Sequence, residues 1–312
     1  MNLEDLAKNF STEESAISYL ESKLWPNGPG CPKCGLVGHA FRMESKAKTK
    51  NKMRPGLWKC SGCRKTFRVT VNTIFEDSHI PLHKWMMAIH LMSASKKGIS
   101  ARQLHRMLGI GYRAAWFMAH RIRFAMTSND TTPLSGIVEA DETYIGPKTR
   151  GPGVYEGKRR KTPVLSLVER NGKARSFHVA NVTAKNLGPI LKEHISEQAN
   201  LMTDDFSTYA SLGKNFASHD VINHKQQKYS RHEGDKVITA NTVEGYFSIP
   251  KRGVYGTFHH VSKQPLGRYL SEFDFRYNAR KIEDGERAIL AVQGAMGKRL
   301  TYRDSSRESF SK

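Results

Sequence analysis

The chain has 312 residues and a formal net charge of +21 at pH 7, because 50 lysines and arginines outnumber 29 aspartates and glutamates. This length allows two or three domains, and the excess positive charge favours a polyanionic partner, with nucleic acid the leading candidate. The sequence contains neither an apolar run of membrane-spanning length nor the basic start and apolar core of a secretory signal, so we expect a cytoplasmic protein with no membrane partner.

The first thirty residues predict one short helix that leads into a cysteine-rich module. The helical pattern follows Ser11-Thr12 and ends at the proline- and glycine-rich segment 25–30. Two C-x-x-C pairs come next, formed by Cys31, Cys34, Cys60 and Cys63. Each pair directs two sulfurs toward one point, so together they supply the four thiolates of a closed tetrahedral zinc site. We therefore predict a zinc ribbon over residues 31–70 with a structural Zn²⁺ ion, in preference to a redox site, which needs only one pair in a βαβ context.

The zinc-ribbon segment also concentrates positive charge. Residues 31–70 contain eleven basic residues and a single acidic one, Glu44. Lys48, Lys50 and Lys52 lie in the long stretch between the two cysteine pairs, which can loop out. We predict that these lysines contact DNA phosphates, with a solvated loop as the alternative.

Residues 80–127 have a helical pattern throughout. The glycine-containing turn 109–111 separates two of these helices, and the second, over residues 112–126, carries Arg113 and Arg121. A helix, a glycine-containing turn and a basic helix are typical of a helix-turn-helix, so we predict that both arginines contact DNA. An ordinary helical hairpin that links two domains is the alternative.

The pattern changes to short β-rich runs from Gly136 onward. These runs, a hairpin turn at Asn171-Gly172, and helical segments over 184–195 and after about residue 240 predict a mixed α/β domain with helices covering a sheet. The fold class is therefore a multidomain α/β protein. Its predicted divisions are an N-terminal helix (1–30), the zinc ribbon (31–70), the helix-turn-helix-like segment (80–127), the α/β domain (136–282) and a basic C-terminal tail (283–312).

Carboxylates occur at three separated places in the second half of the chain. Asp141 interrupts a strand-like run, where a charge costs stability unless something binds it. A second strand-like run ends in Asp204 and Asp205, and Glu244 lies on a predicted helix. Taken alone, an aspartate in either run is more often structural than catalytic. Three such carboxylates can hold two Mg²⁺ ions for phosphodiester chemistry, since oxygen ligands suit this hard cation.

Longer motifs surround these acids and resemble those of a known family. They are V-E-A-D-E-T-Y-I-G at 138–146, T-D-D-F-S-T-Y at 203–209, N-T-V-E-G-Y-F-S-I-P-K-R-G at 241–253 and R-Y-L-S-E-F-D-F-R-Y-N at 268–278. With the cysteine pairs upstream, the chain resembles the DDE transposases of zinc-ribbon insertion sequences, of the ISXO-like type. The resemblance covers nearly the whole chain in order.

This resemblance implies an RNase H-like catalytic domain with an acidic triad at Asp141, Asp204 and Glu244 that holds two Mg²⁺ ions. The T-D pattern favours Asp204 over its neighbour Asp205. Lys251 matches a lysine of the third motif and is expected at the scissile phosphate. The implied activity is cleavage of double-stranded DNA at the terminal inverted repeats of the element and strand transfer into target DNA, by at least a dimer on the DNA.

The third motif departs from the family pattern at Pro250. A proline six residues after the triad glutamate is expected to end or kink its helix, and Asn241 or Thr242 is expected to cap the start of that helix. The neighbouring acids Glu139 and Glu142 are expected to support the triad or to be exposed.

Further basic residues are predicted to contact DNA. Arg159 and Arg160 belong to a basic, glycine-containing loop that follows Asp141 in the chain, and a solvated loop is again the alternative. Arg252 follows Lys251 in the third motif and completes the predicted contacts.

Two other functions stay open at this point. A zinc-ribbon regulator that binds DNA without catalysis explains residues 1–127 and the charge, but it leaves the carboxylates of the α/β domain unexplained. A nuclease on the same RNase H-like fold cleaves DNA without joining it. Mg²⁺-dependent cutting separates the regulator from both enzymes, and strand-transfer products separate the nuclease from the transposase.

Overall fold

The computed structural model describes residues 3–44, 53–146, 161–222, 230–233 and 236–305, and the chain divides into two compact units. The first unit comprises Met1–Ser95, Ile99–Thr127 and Ile282–Ser305. The second comprises Lys96–Gly98 and Ser128–Lys281. The chain therefore returns to its first unit after the second is complete.

The described chain contains both helices and strands, mostly in runs of two or three, which confirms the predicted α/β class. The described helices are α1 (Leu3–Asn9), α2 (Glu13–Leu24), α3 (Leu82–Ala94), α4 (Ala101–Leu108), α5 (Tyr112–Ala125), α6 (Ala184–His194), α7 (Ser207–Leu212), α8 (Asn241–Gly253), α9 (Leu266–Asn278), α10 (Asp284–Gln293) and α11 (Tyr302–Ser305). The described strands are β1 (Ala40–Arg42), β2 (Trp58–Cys60), β3 (Thr66–Phe67), β4 (Ile137–Ile145), β5 (Thr162–Glu169), β6 (Ala174–His178), β7 (Asn200–Asp204), β8 (Ser218–Ile222), β9 (Ser230–Glu233) and β10 (Lys236–Thr239).

The first unit packs helices beside a small antiparallel sheet. Its described strands are ordered β1-β2-β3. Helix α2 begins after Thr12, whose hydroxyl accepts a 3.1 Å hydrogen bond from the N–H of Ser15. Helix α3 buries Trp85, Ile89 and Met92, which spacings of four and three place on one helical face.

Residues 283–305 differ from the predicted basic tail. They contain α10, which packs against α3 and buries Ala288, Ala291 and Val292. Farther on, the ammonium of Lys298 donates a 3.2 Å hydrogen bond to the carbonyl of Ala125 at the end of α5. An apolar helical face needs a partner, and α3 supplies it, so this part of the segment belongs to the first unit.

The second unit is built on a mixed sheet whose described strands are ordered β6-β5-β4-β7-β8. Strands β6, β5 and β4 are antiparallel neighbours, whereas β7 runs parallel to both β4 and β8. The turn that joins β5 to β6 holds Asn171 at a φ of 63°, as the Asn-Gly hairpin signal predicts. This mixed sheet agrees with the mixed α/β fold that the sequence predicts for this part of the chain.

Helices cover both faces of this sheet. On one face, Val138, Leu165 and Leu201 pack with residues of α6 and α7 in a single core cluster. On the other face, Val164 and Val168 belong to clusters that include residues of α8 and α9. Alternate residues of β5 therefore point to opposite cores, as expected for a strand buried on both sides.

Helix α9 covers the end strand β6 through two polar side chains. The side-chain oxygen of Asn278 accepts a 2.7 Å hydrogen bond from the N–H of Ala174, and its amide donates a 3.0 Å bond to the carbonyl of the same residue. Asp274 accepts a 2.8 Å bond from the N–H of Ser176. Four residues of helix rise about 6 Å and two residues of strand span about 6.6 Å, so the two spacings match and the strand edge is satisfied.

Across the described parts of the chain, no helix has both the length and the apolar character that a membrane span requires.

Candidate active site and zinc centre

Asp141 and Asp204 lie side by side on neighbouring parallel strands. Strand β4 pairs with β7 so that Glu139 lies opposite Met202, and the same register two residues farther on brings Asp141 beside Asp204. One carboxylate oxygen each of Asp141, Glu142 and Asp204 lie within 4.8 Å of one another. Oxygen ligands at this spacing suit a hard divalent cation such as Mg²⁺.

Burial and negative charge make Asp141 hard to ionise. Burial is the main cause that raises the pKa of this carboxyl to about 7, and the charges of Asp204, Glu142 and Glu244 raise it further. A 2.6 Å hydrogen bond from the N–H of Glu142 opposes the shift. A divalent cation among these oxygens offsets their repulsion and favours the ionised form.

Glu142 is part of the carboxylate cluster, whereas the sequence led us to expect a supporting or exposed residue. Burial is the main cause that raises its pKa to about 7, and the charge of Asp204 adds to it. The hydroxyl of Tyr209 donates a 2.7 Å hydrogen bond to Oε1 of Glu142 and opposes the shift. In the sequence, the position of Glu142 directly after Asp141 in the strand is the feature that could have indicated its place in the site.

Glu244, the third predicted acid, lies in the first turn of α8 and is exposed. Its charge is one of the causes that raise the pKa of Asp141, but its carboxylate is not among the oxygens that lie within 4.8 Å of one another. The structure thus brings Asp141 and Asp204 together and adds Glu142, whereas Glu244 lies outside this group of carboxylates.

Helix α8 is capped by a side chain from the sheet. Its N-cap residue, Ala240, has no side chain that can accept a hydrogen bond. Instead, Oε2 of Glu139 accepts bonds from the N–H groups of Thr242 at 2.8 Å and Val243 at 3.0 Å, and Oε1 accepts a 2.7 Å bond from the Thr242 hydroxyl. The expected cap by Asn241 or Thr242 is therefore wrong, since the hydroxyl of Thr242 donates to Glu139.

Pro250 does not end the helix as expected. Helix α8 continues to Gly253 and passes directly into a π-helical turn over Val254–Phe258. Buried Phe247 and Val254 pack on either side of the proline in the clusters that cover the sheet. Packing on both sides outweighs the one backbone hydrogen bond that a proline removes.

The basic residues at the end of α8 are exposed. Lys251 lies seven residues after Glu244, about 10 Å along the same face of the helix. Its ammonium is 5.6 Å from the centre of the Phe247 ring. The guanidinium of Arg252 donates a 2.8 Å hydrogen bond to the hydroxyl of Ser248.

The four cysteines converge in the first unit. One sulfur from each lies within 4.8 Å of the others, with 3.6 Å between Cys31 and Cys63 and between Cys34 and Cys60. A disulfide needs about 2.05 Å, whereas thiolates around one tetrahedral Zn²⁺ lie about 3.8 Å apart. Cys31 and Cys60 pack in a small core cluster with aromatic side chains of the ribbon. The geometry fits the predicted closed zinc site.

The residues predicted to contact DNA have different environments. Lys48, Lys50, Lys52, Arg159 and Arg160 lie outside the described residues. Arg113 is exposed in the first turn of α5. Arg121 is only 4% exposed, donates to the carbonyl of Glu76, and stacks over the rings of Trp85 and Phe117. The guanidinium of Arg121 is therefore occupied in the core, so its predicted DNA contact does not fit its position.

The two helices of the predicted helix-turn-helix differ in exposure. Helix α5 buries most of its residues, whereas α4 exposes Arg102, Gln103 and Arg106. The guanidinium of Arg102 stacks over the Tyr112 ring at 4.6 Å. Gly109 joins the helices in the left-handed conformation at a φ of 58°. The basic surface is thus formed by α4 and the first turn of α5.

Known proteins share both modules of the chain. An ISXO2-like transposase domain matches residues 133–278, and a transposase zinc-ribbon domain matches residues 11–66. An uncharacterized protein in transposable element ISH50 of Halobacterium salinarum is 27% identical over 287 residues, which cover 86% of this chain and 92% of that protein. An uncharacterized transposase-like protein of Haemophilus influenzae is 29% identical over 105 residues, which cover 34% of this chain and 80% of that protein. The chain therefore carries a transposase zinc-ribbon domain followed by an ISXO2-like transposase domain, and over most of its length it is similar to a protein of a transposable element.

Proposed function

We propose that this transposase cleaves DNA at the terminal inverted repeats of an insertion sequence and joins the freed ends to target DNA. The observation that carries the proposal is the pair Asp141 and Asp204 on adjacent parallel strands, with carboxylate oxygens within 4.8 Å of each other. Together with Glu244, which the family resemblance adds, these carboxylates would hold two Mg²⁺ ions. When bound, such ions activate an attacking oxygen and stabilise a leaving oxygen.

The exposed face of α8 supports a role for Lys251. Its position two helical turns beyond Glu244 lets its ammonium bind a phosphate that approaches the carboxylates. Arg252, next in the chain and also exposed, adds positive charge to this end of the helix. Their role is to hold the scissile strand against the acids.

The acids act on phosphate groups, which are the same in every DNA sequence. Recognition of the element ends therefore requires other surfaces of the protein. The net charge of +21, the zinc ribbon, and the exposed basic residues Arg102, Arg106 and Arg113 support DNA binding by the first unit. The lysines and arginines outside the described residues stay predicted contacts. Two DNA ends must meet for joining, so the active complex contains at least two copies of the chain.

Substitution of neighbouring aspartates tests the active site. Asp204→Asn keeps the shape of the side chain and removes one ligand, whereas Asp205→Asn is a matched control outside the carboxylate cluster. On supercoiled DNA that carries the element ends, we expect Asp204→Asn to lower the rate of Mg²⁺-dependent nicking about 100-fold or more. The control is expected to cleave at nearly the wild-type rate.

The same assay includes the outcomes that contradict the proposal. Wild-type nicking by the Asp204→Asn protein excludes the assigned site, and so does equal loss in both variants. DNA binding without any cutting by the wild-type protein indicates a regulator. Cutting without joined products indicates a nuclease.

A further inference from the structure

Glu139 is a buried acid that serves two elements of the proposed active site. It lies on β4 two residues before Asp141, on the same face of the strand, and its side chain is fully buried. On α8 it binds the N–H groups of residues 242 and 243, and the next residue is Glu244. A single carboxylate therefore connects the strand of one proposed metal ligand to the helix of another.

The charge of Glu139 is balanced inside the second unit. The guanidinium of Arg170 donates to Oε1 at 2.9 Å through Nη2 and at 3.2 Å through Nε. Arg170 also donates a 2.8 Å hydrogen bond to the carbonyl of Val237 in β10, the strand that leads into α8. The guanidinium of Arg170 thus binds both strand β10, which precedes α8, and the carboxylate of Glu139, which caps α8.

A helix does not need this arrangement for its own stability. A serine, threonine, asparagine or aspartate at the N-cap position can accept hydrogen bonds from the first N–H groups of a helix. In α8 this position holds Ala240, whose side chain cannot accept a hydrogen bond. A buried carboxylate is costly to desolvate even when it is paired, so its net gain in stability is small. What the remote cap adds is a defined position of the helix start relative to β4.

We infer that Glu139 is a positioning residue, which acts through Glu244 by setting the position of that carboxylate relative to Asp141. The inference rests on the proposed function, because it takes Glu244 as a ligand of the divalent cation. Five hydrogen bonds from Arg170, Thr242 and Val243 occupy the carboxylate of Glu139, so the inference does not take it as a ligand of the ion. Groups that orient metal ligands typically change metal affinity about 10- to 100-fold when they are replaced.

The experiment measures Mn²⁺ affinity of the zinc-loaded full chain by electron paramagnetic resonance, with Mn²⁺ as the probe for the Mg²⁺ site. The variants are Glu139→Gln, Glu244→Gln and the double variant. Glu169→Gln is the matched control, because Glu169 is a glutamate at the end of β5 whose carboxylate accepts hydrogen bonds from Ser135 and Lys173 rather than from α8. Thermal unfolding and zinc content are measured for each protein.

We expect Glu139→Gln to weaken Mn²⁺ binding about tenfold or more, because its amide opposes two N–H donors and tilts the helix start. In the Glu244→Gln background the same substitution is expected to change the affinity less than about twofold, since the residue acts through Glu244. Glu169→Gln is expected to bind Mn²⁺ as the wild type does. A purely structural role would lower the unfolding temperature without this dependence on Glu244.

A milder variant covers the case in which Glu139→Gln does not fold. Thr242→Val removes one hydroxyl donor and keeps both N–H bonds, and we expect about threefold weaker Mn²⁺ binding that disappears in the Glu244→Gln background. Unchanged affinity in Glu139→Gln, or in Thr242→Val if the first variant is unfolded, overturns the inference. Equal weakening with and without Glu244 also overturns it. Wild-type affinity in Asp204→Asn instead overturns the proposed function, and this inference with it.

Discussion

The hydroxyl of Tyr209 donates a 2.7 Å hydrogen bond to Oε1 of Glu142, and this bond joins helix α7 to the carboxylate cluster. Tyr209 is fully buried, while the carboxylate of Glu142 lies within 4.8 Å of those of Asp141 and Asp204. The tyrosine therefore supports Glu142 from the face of the sheet that α6 and α7 cover. Glu142 is an acid that the family triad does not include.

Replacing Tyr209 by phenylalanine tests that support. Phenylalanine keeps the ring in its core and removes only the donor, so we expect a loss of about 1 to 2 kcal/mol in the free energy of unfolding. Nicking of DNA is expected to slow, but less than in Asp204→Asn. Urea unfolding and the nicking assay measure the two effects. Nicking at the wild-type rate would show that the position of Glu142 does not matter for cleavage.

Removal of zinc separates the two metal sites. The small sheet of the ribbon depends on the four cysteines and on the contact between Trp25 and Trp58, whose ring centres lie 5.9 Å apart. We expect Cys34→Ser to expose these rings, to red-shift tryptophan fluorescence and to abolish binding to the element ends. Mn²⁺ affinity is expected to persist, because no cysteine belongs to the carboxylate cluster.

Ser61→Ala is the control for this substitution, since Ser61 lies in the second cysteine turn and only bonds the carbonyl of His39. Zinc content, fluorescence and a gel-shift assay report on the three properties. A Cys34→Ser protein that binds the element ends normally would contradict a DNA-binding role for the ribbon.

Arg113 and Arg121 are expected to differ although they lie on one helix. Arg113→Ala removes an exposed charge, so the slope of log affinity for DNA against log salt is expected to fall by about 1 with unchanged stability. Arg121→Met is expected to destabilise the protein by about 3 kcal/mol, because the buried guanidinium packs on Trp85 and bonds the carbonyl of Glu76. Its salt slope is expected to stay that of the wild type. If Arg121→Met instead lowered the salt slope without loss of stability, Arg121 would be a DNA contact after all.

The carboxyl of Asp274 makes stability depend on pH. Burial is the main cause that raises its pKa to about 6, and hydrogen bonds from Tyr246 and Ser176 oppose the shift. Its pKa in the unfolded chain is near 3.9, so the folded chain binds the proton more tightly. The resulting stabilisation, about 3 kcal/mol, is complete below pH 4 and is lost as the pH rises through 6.

Asp274→Asn removes this titration. From pH 4 to pH 7, we expect the free energy of unfolding of the wild-type protein to fall relative to that of the variant. Urea unfolding at each pH measures both values. Other titrating groups cancel in the difference. A difference that is constant with pH would show that the carboxyl titrates alike in both states.

Local patterns in the sequence predict most elements, the group of four cysteines and two of the three clustered carboxylates. The two cysteine pairs converge because each needs only one tight turn, and the Asn-Gly signal places the hairpin between β5 and β6. Asp141 and Asp204 come together because each lies in a strand and parallel neighbours align their ends. These features depend on spacing along the chain, which the sequence displays directly.

Contacts between distant residues had to be decided by the tertiary structure. Glu139 caps α8 across 103 residues, and Asn278 satisfies the edge of β6 across 104 residues. Arg121 has the spacing of a surface residue in a basic helix, yet packing against α3 buries it. Residues 283–305 are rich enough in charge to suggest a tail, yet α10 has an apolar face that needs α3.

By itself, the amino-acid sequence indicated most of the secondary structure, the four cysteines that can bind zinc and the resemblance to a family, because these depend on residue types at short, regular intervals. Only the tertiary structure decided which acids share the site, what caps the helix of Glu244 and which arginines reach the surface. A hydrogen-bond donor finds its acceptor through the packing of whole elements, and the free energy of that packing is spread over many residues that no short motif contains.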